Sequence, residues 1–145
     1  MPNVFDVAKY ILKKKGTMSS MKLQKLCYYA QAWSLVWDDA PLFDEEFQAW
    51  RNGPVCYELY DQHRGKFLVD ESSIPDGYLT GGLTKEQKRT IKTVLKYYGG
   101  KDAQWLSRLT HMEDPWRKAR RGVREGDSCR NIVTKESMSE YYGSL

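Results

Sequence analysis

Side chains able to do acid–base, nucleophilic or metal chemistry are sparse and scattered in this sequence. Only two histidines occur, His63 and His111, and no HxxxH, HExxH or CxxC spacing joins either one to a second soft ligand. Each falls near the end of an expected helix, where an imidazole sits in solvent or against helix-end carbonyls. Cys27, Cys56 and Cys129 are an odd number without a pairing pattern. They argue against a disulfide framework and a zinc site, and place the chain in a reducing cytoplasm. Cys27 falls on the apolar face of a helix, where a thiol behaves as a small hydrophobe and not as a nucleophile. The acidic stretch of Asp38, Asp39, Asp44, Glu45 and Glu46 lacks the alternation of oxygen ligands around a glycine that calcium needs. Neither GxGxxG nor GxxxxGK[ST] occurs, and Gly81-Gly82 follows no strand, so nothing supports nucleotide binding. The expectation is a protein with no catalytic residues, no metal and no cofactor.

Two basic features remain. Lys85, Arg89, Lys92 and Lys96 recur along one side of an expected helix, where like charges cost about 0.2–0.5 kcal/mol per close pair. Arg117, Lys118, Arg120, Arg121 and Arg124 follow with no acid between Trp116 and Arg124. Both are candidate basic patches for phosphate or for an acidic protein. Against nucleic acid stand the 23 Lys+Arg and 19 Asp+Glu of the whole chain, a net charge of only +4. Glu113, Asp114, Glu125 and Asp127 also flank the second cluster, so a solvated helix face is the favoured reading.

These residues sit on a chain of 145 residues, 41% hydrophobic, long enough for one buried core and short for two. No repeat and no linker divides it, so a single domain over 1–145 is expected. No apolar run approaches the ~20 residues that cross a bilayer. Charges at Asp6, Lys9, Lys13, Lys14 and Lys15 interrupt the first sixteen residues, unlike a secretory leader.

Cap residues and 3.6-residue periodicity predict a helix over about 4–14 after Asn3, ending at Gly16, and another over 20–37 after Ser19 or Ser20. The second places Leu23, Leu26, Cys27, Ala30, Trp33 and Trp37 on one face. Lys25, Tyr28, Ala32, Leu35 and Val36 fall on the other, with Gln24 and Gln31 as a polar strip between. A helix apolar nearly all round is a central one, and its second face must be covered by this chain or by a partner. Residues 47–50 alternate like a strand. Asn52-Gly53-Pro54 reads as the start of a helix running to about His63, with Pro54 at its first position. Residues 70–82 form a loop. Thr84 and Gln87 make a capping box for a helix over 85–98 that stops at Gly99-Gly100. Asp102 caps a helix carrying Trp105, Leu106 and Leu109. Asp114 caps another, with Pro115 first and Trp116 inside. A brief strand at 131–133 precedes a Thr134-capped helix to Tyr142. The expected class is mainly α: a compact bundle of about six helices with a small two-stranded β accessory.

The aromatic content, five Trp, ten Tyr and four Phe, exceeds what chemistry requires. Most of it is core, but Trp and Tyr also dominate protein interfaces, because they bury large areas with few rotatable bonds. A helical domain without catalytic equipment and with surplus aromatic surface points to protein binding.

MKLQKLCYYAQAW at 21–33, PLFDE at 41–45, AWRNGPV at 49–55 and DPW at 114–116 together resemble the Panacea domain, the SocA-like or GepA-like antitoxin family. Departures are mild: Cys27 stands where leucine is usual, Asn52 where an aromatic or histidine is common, and Cys56 follows Val55. The resemblance implies a bacterial or prophage protein encoded beside a toxin gene, neutralising that toxin by direct binding and needing no cofactor. Some members resemble adaptors that present the toxin to an ATP-dependent protease, and a phage protein redirecting a host factor would look the same. Family members pair with unrelated toxins, so the domain gives the role and not the target. Carried onto this chain, the motif marks Lys22, Gln24, Lys25, Tyr28, Tyr29, Trp50, Arg51, Gly53, Pro54, Val55, Trp116 and Arg117 as partner-binding residues. The alternative is that the motif marks core packing. A nucleic-acid-binding autoregulator using the two basic patches is a further reading, and the sequence leaves the oligomeric state open.

Overall fold

A computed structural model describes all of residues 1–145. Seven α-helices run in order: α1 (Val4–Lys15), α2 (Ser20–Trp37), α3 (Tyr57–His63), α4 (Lys85–Tyr98), α5 (Ala103–His111), α6 (Asp114–Ala119) and α7 (Lys135–Gly143). Five short strands accompany them: β1 (Met18–Ser19), β2 (Phe47–Trp50), β3 (Gly53–Cys56), β4 (Leu68–Val69) and β5 (Ile132–Val133). Two single 3-10 turns, Glu71–Ser73 and Asp76–Tyr78, carry the loop before α4. No helix is long and apolar enough to cross a membrane.

The caps act where their residue types place them. Asn3 Oδ1 accepts from the Asp6 N–H at 2.9 Å while Asp6 Oδ2 accepts from the Asn3 N–H at 2.9 Å, and Gly16, at φ 80°, ends α1. Ser19, Thr84, Asp102 and Thr134 each accept an N–H from the first turn of their helices. α2 is the hub, packed against α1, α4, α5, α7 and β3. Twelve of its eighteen residues are buried, so this chain itself covers both apolar faces over most of their length, while Trp37 at the C-terminal end stays 45% exposed. One cluster of 31 buried apolar residues runs from Val4 to Tyr142 through it, a single continuous core.

Three local expectations change. The β component is larger than one hairpin: β3-β2-β5 form a three-stranded antiparallel sheet, and β1 pairs separately with β4. Gly53-Pro54 begins strand β3 and not a helix, and α3 starts only at Tyr57. The turn of Arg51 and Asn52 joins the paired residues Trp50 and Gly53, and Gly53 takes φ 116° to re-enter the sheet. Proline is tolerated there because β3 is an edge strand and Pro54 needs no outward N–H. Finally, Glu113 and not Asp114 occupies the cap position of α6. Its carboxylate caps nothing because it points inward to tyrosines, and Pro115 falls in the second helical position.

The 38–46 segment is fastened to α2 by one amide. Gln31 Nε2 donates to the Phe43 carbonyl at 2.8 Å and Gln31 Oε1 accepts from the Leu42 N–H at 2.7 Å, with all three residues buried. Gln31→Leu keeps the volume and leaves both main-chain groups unpaired. It is expected to lower the unfolding free energy by about 2–4 kcal/mol, since each orphaned buried group costs ~1–3. A urea midpoint equal to wild type would contradict this.

Candidate partner-binding surface

The same device, one heptad earlier on α2, fixes the turn that carries the sequence motif. Gln24 Oε1 accepts from the Cys56 N–H at 2.8 Å, and Gln24 Nε2 donates to the Cys56 carbonyl at 3.1 Å. The side-chain amide thus serves the free edge of β3 as a neighbouring peptide would. Gln24 Nε2 also lies 3.1 Å from His63 Nε2, which is buried at the end of α3, so of the two settings expected for it, solvent or helix-end carbonyls, the solvated one does not hold. Burial lowers the His63 pKa below its ordinary value.

Lys25 completes the grip. Its side chain is 1% exposed and Nζ donates to the Pro54 carbonyl at 3.2 Å, with no carboxylate nearby. Desolvation brings its pKa down to about 7. Gly53 is the residue that leaves room for it: a Cβ there would stand 2.6 Å from Lys25 Cε and 3.0 Å from Thr110 Oγ1. One turn further along α2, Tyr29 Oη and Tyr142 Oη both donate to Glu113 Oε1, at 2.6 and 2.7 Å, and Tyr28 Oη lies 3.1 Å from Tyr142 Oη. Burial raises the Glu113 pKa, and the two phenol hydrogen bonds oppose that shift.

The exposed side of the motif lies at the other end of the hairpin. Trp116 Nε1 donates to the Trp50 carbonyl at 2.8 Å, and its ring stacks on His111 at 3.9 Å between centroids. Arg120, 4% exposed, donates through Nη1 to the Ala49 carbonyl at 2.8 Å. Its Nη2 donates to the carbonyls of Arg124 at 3.0 Å and Asp127 at 2.6 Å. One buried guanidinium therefore ties the end of β2 to the loop that follows α6. Between them opens a pocket of ≈ 360 Å³ lined by Trp50, Arg51, Gly126, Ser128, Cys129 and Arg130. Trp50 is half-buried, edge-on to Tyr60 at 4.8 Å, while Arg51 and Arg130 are exposed.

A second, apolar groove of ≈ 470 Å³ is lined by Trp33, Trp37, Tyr97 and Tyr98 where α2 meets α4. Lys85, Arg89, Lys92 and Lys96 are all exposed on α4 and none enters an ion pair. The other basic patch does not stay whole: Arg121 is exposed and Arg124 pairs with Asp127 at 3.2 Å, but Arg120 is the buried tie just described.

Among protein families, the one described as antitoxin SocA-like, Panacea domain, matches residues 23–117. The chain belongs to this family. Comparison with curated proteins and with solved structures gave no match. In this Panacea domain the motif divides in two. Gln24, Lys25, Tyr28, Tyr29, Gly53, Pro54 and Val55 are buried, and the side-chain polar atoms of Gln24, Lys25, Tyr28 and Tyr29 are hydrogen-bonded within the chain. Lys22 is half-buried and its ammonium donates to the Gly99 carbonyl at 2.7 Å. Trp116 is buried as well, which leaves Trp50, Arg51 and Arg117 as motif residues facing solvent. Ser128, Cys129 and Arg130 complete the pocket and were invisible to spacing, because the loop reaches Trp50 only through distant contacts, those of Arg120 and the Ala49 N–H that donates to the Asn131 carbonyl at 2.8 Å.

The neutral Lys25 predicts a pH signature. The unfolded chain holds the lysine proton up to about 10.5 and the folded chain releases it near 7, so stability gains as pH rises above about 7. The histidines, with lowered values, act below this window. Cys27 and Cys56, both raised by burial, act with opposite sign only above about pH 8.5. Between pH 7 and 8.5 wild type is expected to gain up to ~1.4 kcal/mol per pH unit relative to Lys25→Met. Parallel urea-unfolding profiles for the two proteins would contradict the neutral buried amine.

Proposed function

We propose that this protein is the antitoxin of a two-gene bacterial toxin–antitoxin system and neutralises its toxin by direct, non-catalytic protein–protein binding in the cytoplasm. The observation that carries the reading is membership of the SocA-like antitoxin family over residues 23–117. Two features of the molecule support it. Cys27, Gln24, Lys25, Glu113 and His63, all buried, are consumed by internal hydrogen bonds or packing, and only Tyr10 Oη and His111 Nε2 are buried polar side-chain atoms without a partner. Trp50, half-buried beside the exposed Arg51 at an open pocket, is of a residue type that dominates protein interfaces.

The reading is tested by expressing the adjacent gene from an inducible promoter with and without this chain. Growth arrest by the neighbour alone, relieved when this protein is co-expressed and co-purifies with it, is the expected result. A harmless neighbour, or toxicity that persists at full expression of this protein, would contradict the antitoxin role.

A further inference from the structure

Arg120 is a buried guanidinium without a counter-ion. It makes three hydrogen bonds to main-chain carbonyls and lies 5.0 Å from the Trp116 ring, but it enters no ion pair. Its carbonyl partners belong to Ala49, next to Trp50, and to Asp127, between Gly126 and Ser128, so its charge stands directly behind the pocket. Arg51 and Arg130 add two more guanidiniums at the rim, neither in an ion pair. The surrounding segment, 117–130, holds six basic residues against Glu125 and Asp127, an excess equal to the net charge of the whole chain. Of those six, only Arg124 is paired with an acid.

Resting on the antitoxin reading, we infer that this pocket is where the toxin docks, through an acidic segment that places a carboxylate between Arg51 and Arg130 and an apolar side chain against Trp50. Charge complementarity selects the acid. The local excess of positive charge is uncompensated, and a guanidinium fork receives a carboxylate with two parallel hydrogen bonds. The half-buried indole supplies the desolvated floor on which such a pair strengthens. Because Arg120 ties both walls together before binding, little ordering is left to do on docking. The apolar groove of Trp33, Trp37, Tyr97 and Tyr98 lacks this convergence: α4 offers cations along one bank, while Glu136 and Glu140 are exposed on neighbouring α7.

The test is biolayer interferometry with the purified product of the adjacent gene as probe, alongside the rescue assay. Arg51→Glu/Arg130→Glu alters two exposed side chains and is expected to keep the wild-type circular dichroism. It should bind the probe at least ~10-fold more weakly and fail to rescue growth. Trp37→Ala/Tyr97→Ala should bind within ~2-fold of wild type, and wild-type affinity should fall between ~50 and ~300 mM NaCl. If the arginine variant binds and rescues as wild type does, the docking site is elsewhere and the antitoxin reading survives. If the loss falls on the Trp37/Tyr97 variant, the groove is the interface and this inference fails. An arginine variant that loses duplex DNA but keeps the probe would turn the pocket into a nucleic-acid site. If wild type neither binds nor rescues, the antitoxin reading falls and this docking site falls with it.

Discussion

A helix buried along most of its length must find partners for its polar side chains, and in this protein four of them find theirs in the main chain of the segment that follows. Gln24 and Gln31, one heptad apart on α2, each use a single amide as donor and acceptor to a main-chain N–H and a main-chain carbonyl, at Cys56 and at Leu42–Phe43. Lys25 adds the Pro54 carbonyl, and Ser34 Oγ donates to the Ala40 carbonyl at 2.7 Å. Leaving any of these groups unpaired in the core would cost about 1–3 kcal/mol, a large share of a small domain's stability. The position of the 38–56 segment, and with it the Arg51–Asn52 turn, follows from satisfying α2.

The residues that make the family motif recognisable are therefore mostly those that hold the exposed rim in place. Gly53 is required by the approach of Lys25, Pro54 is permitted by the edge position of β3, and Trp116 and Arg120 fasten the other side of the turn. A scaffold of this kind presents Trp50 and Arg51 on a fixed strand end, while the 121–131 loop supplies the rest of the pocket.

Helix boundaries set by side-chain caps were legible, because a cap is a local interaction with a fixed offset. α1, α2, α4 and α7 start after Asn3, Ser19, Thr84 and Thr134 as their residue types predict. The central position of α2 was legible too, from an apolar surface too wide for a solvated helix, although only the fold could show that this chain covers most of both faces. The hairpin was misread because Asn-Gly-Pro satisfies two local patterns, a helix start and a turn between strands. The choice between them was made by Gln24 and Lys25, about thirty residues away. The same non-locality hid the site. Lys25 and Arg120 are charged types that belong to the surface by composition, yet each is buried against carbonyls from distant segments. Glu113, one of the acids flanking the basic cluster in the sequence, is the buried acceptor of Tyr29 and Tyr142.

The central claim is that α2 and its motif form a closed interior that fixes a separate, exposed binding rim. Hydrogen–deuterium exchange of the protein alone and bound to the product of the adjacent gene tests it most directly. The account predicts new protection at residues 50–52 and 121–131, with the amides of α2 slow to exchange and unchanged in both states. Protection centred on residues 33–37 and 97–98, or an α2 that exchanges rapidly until the partner binds, would contradict it.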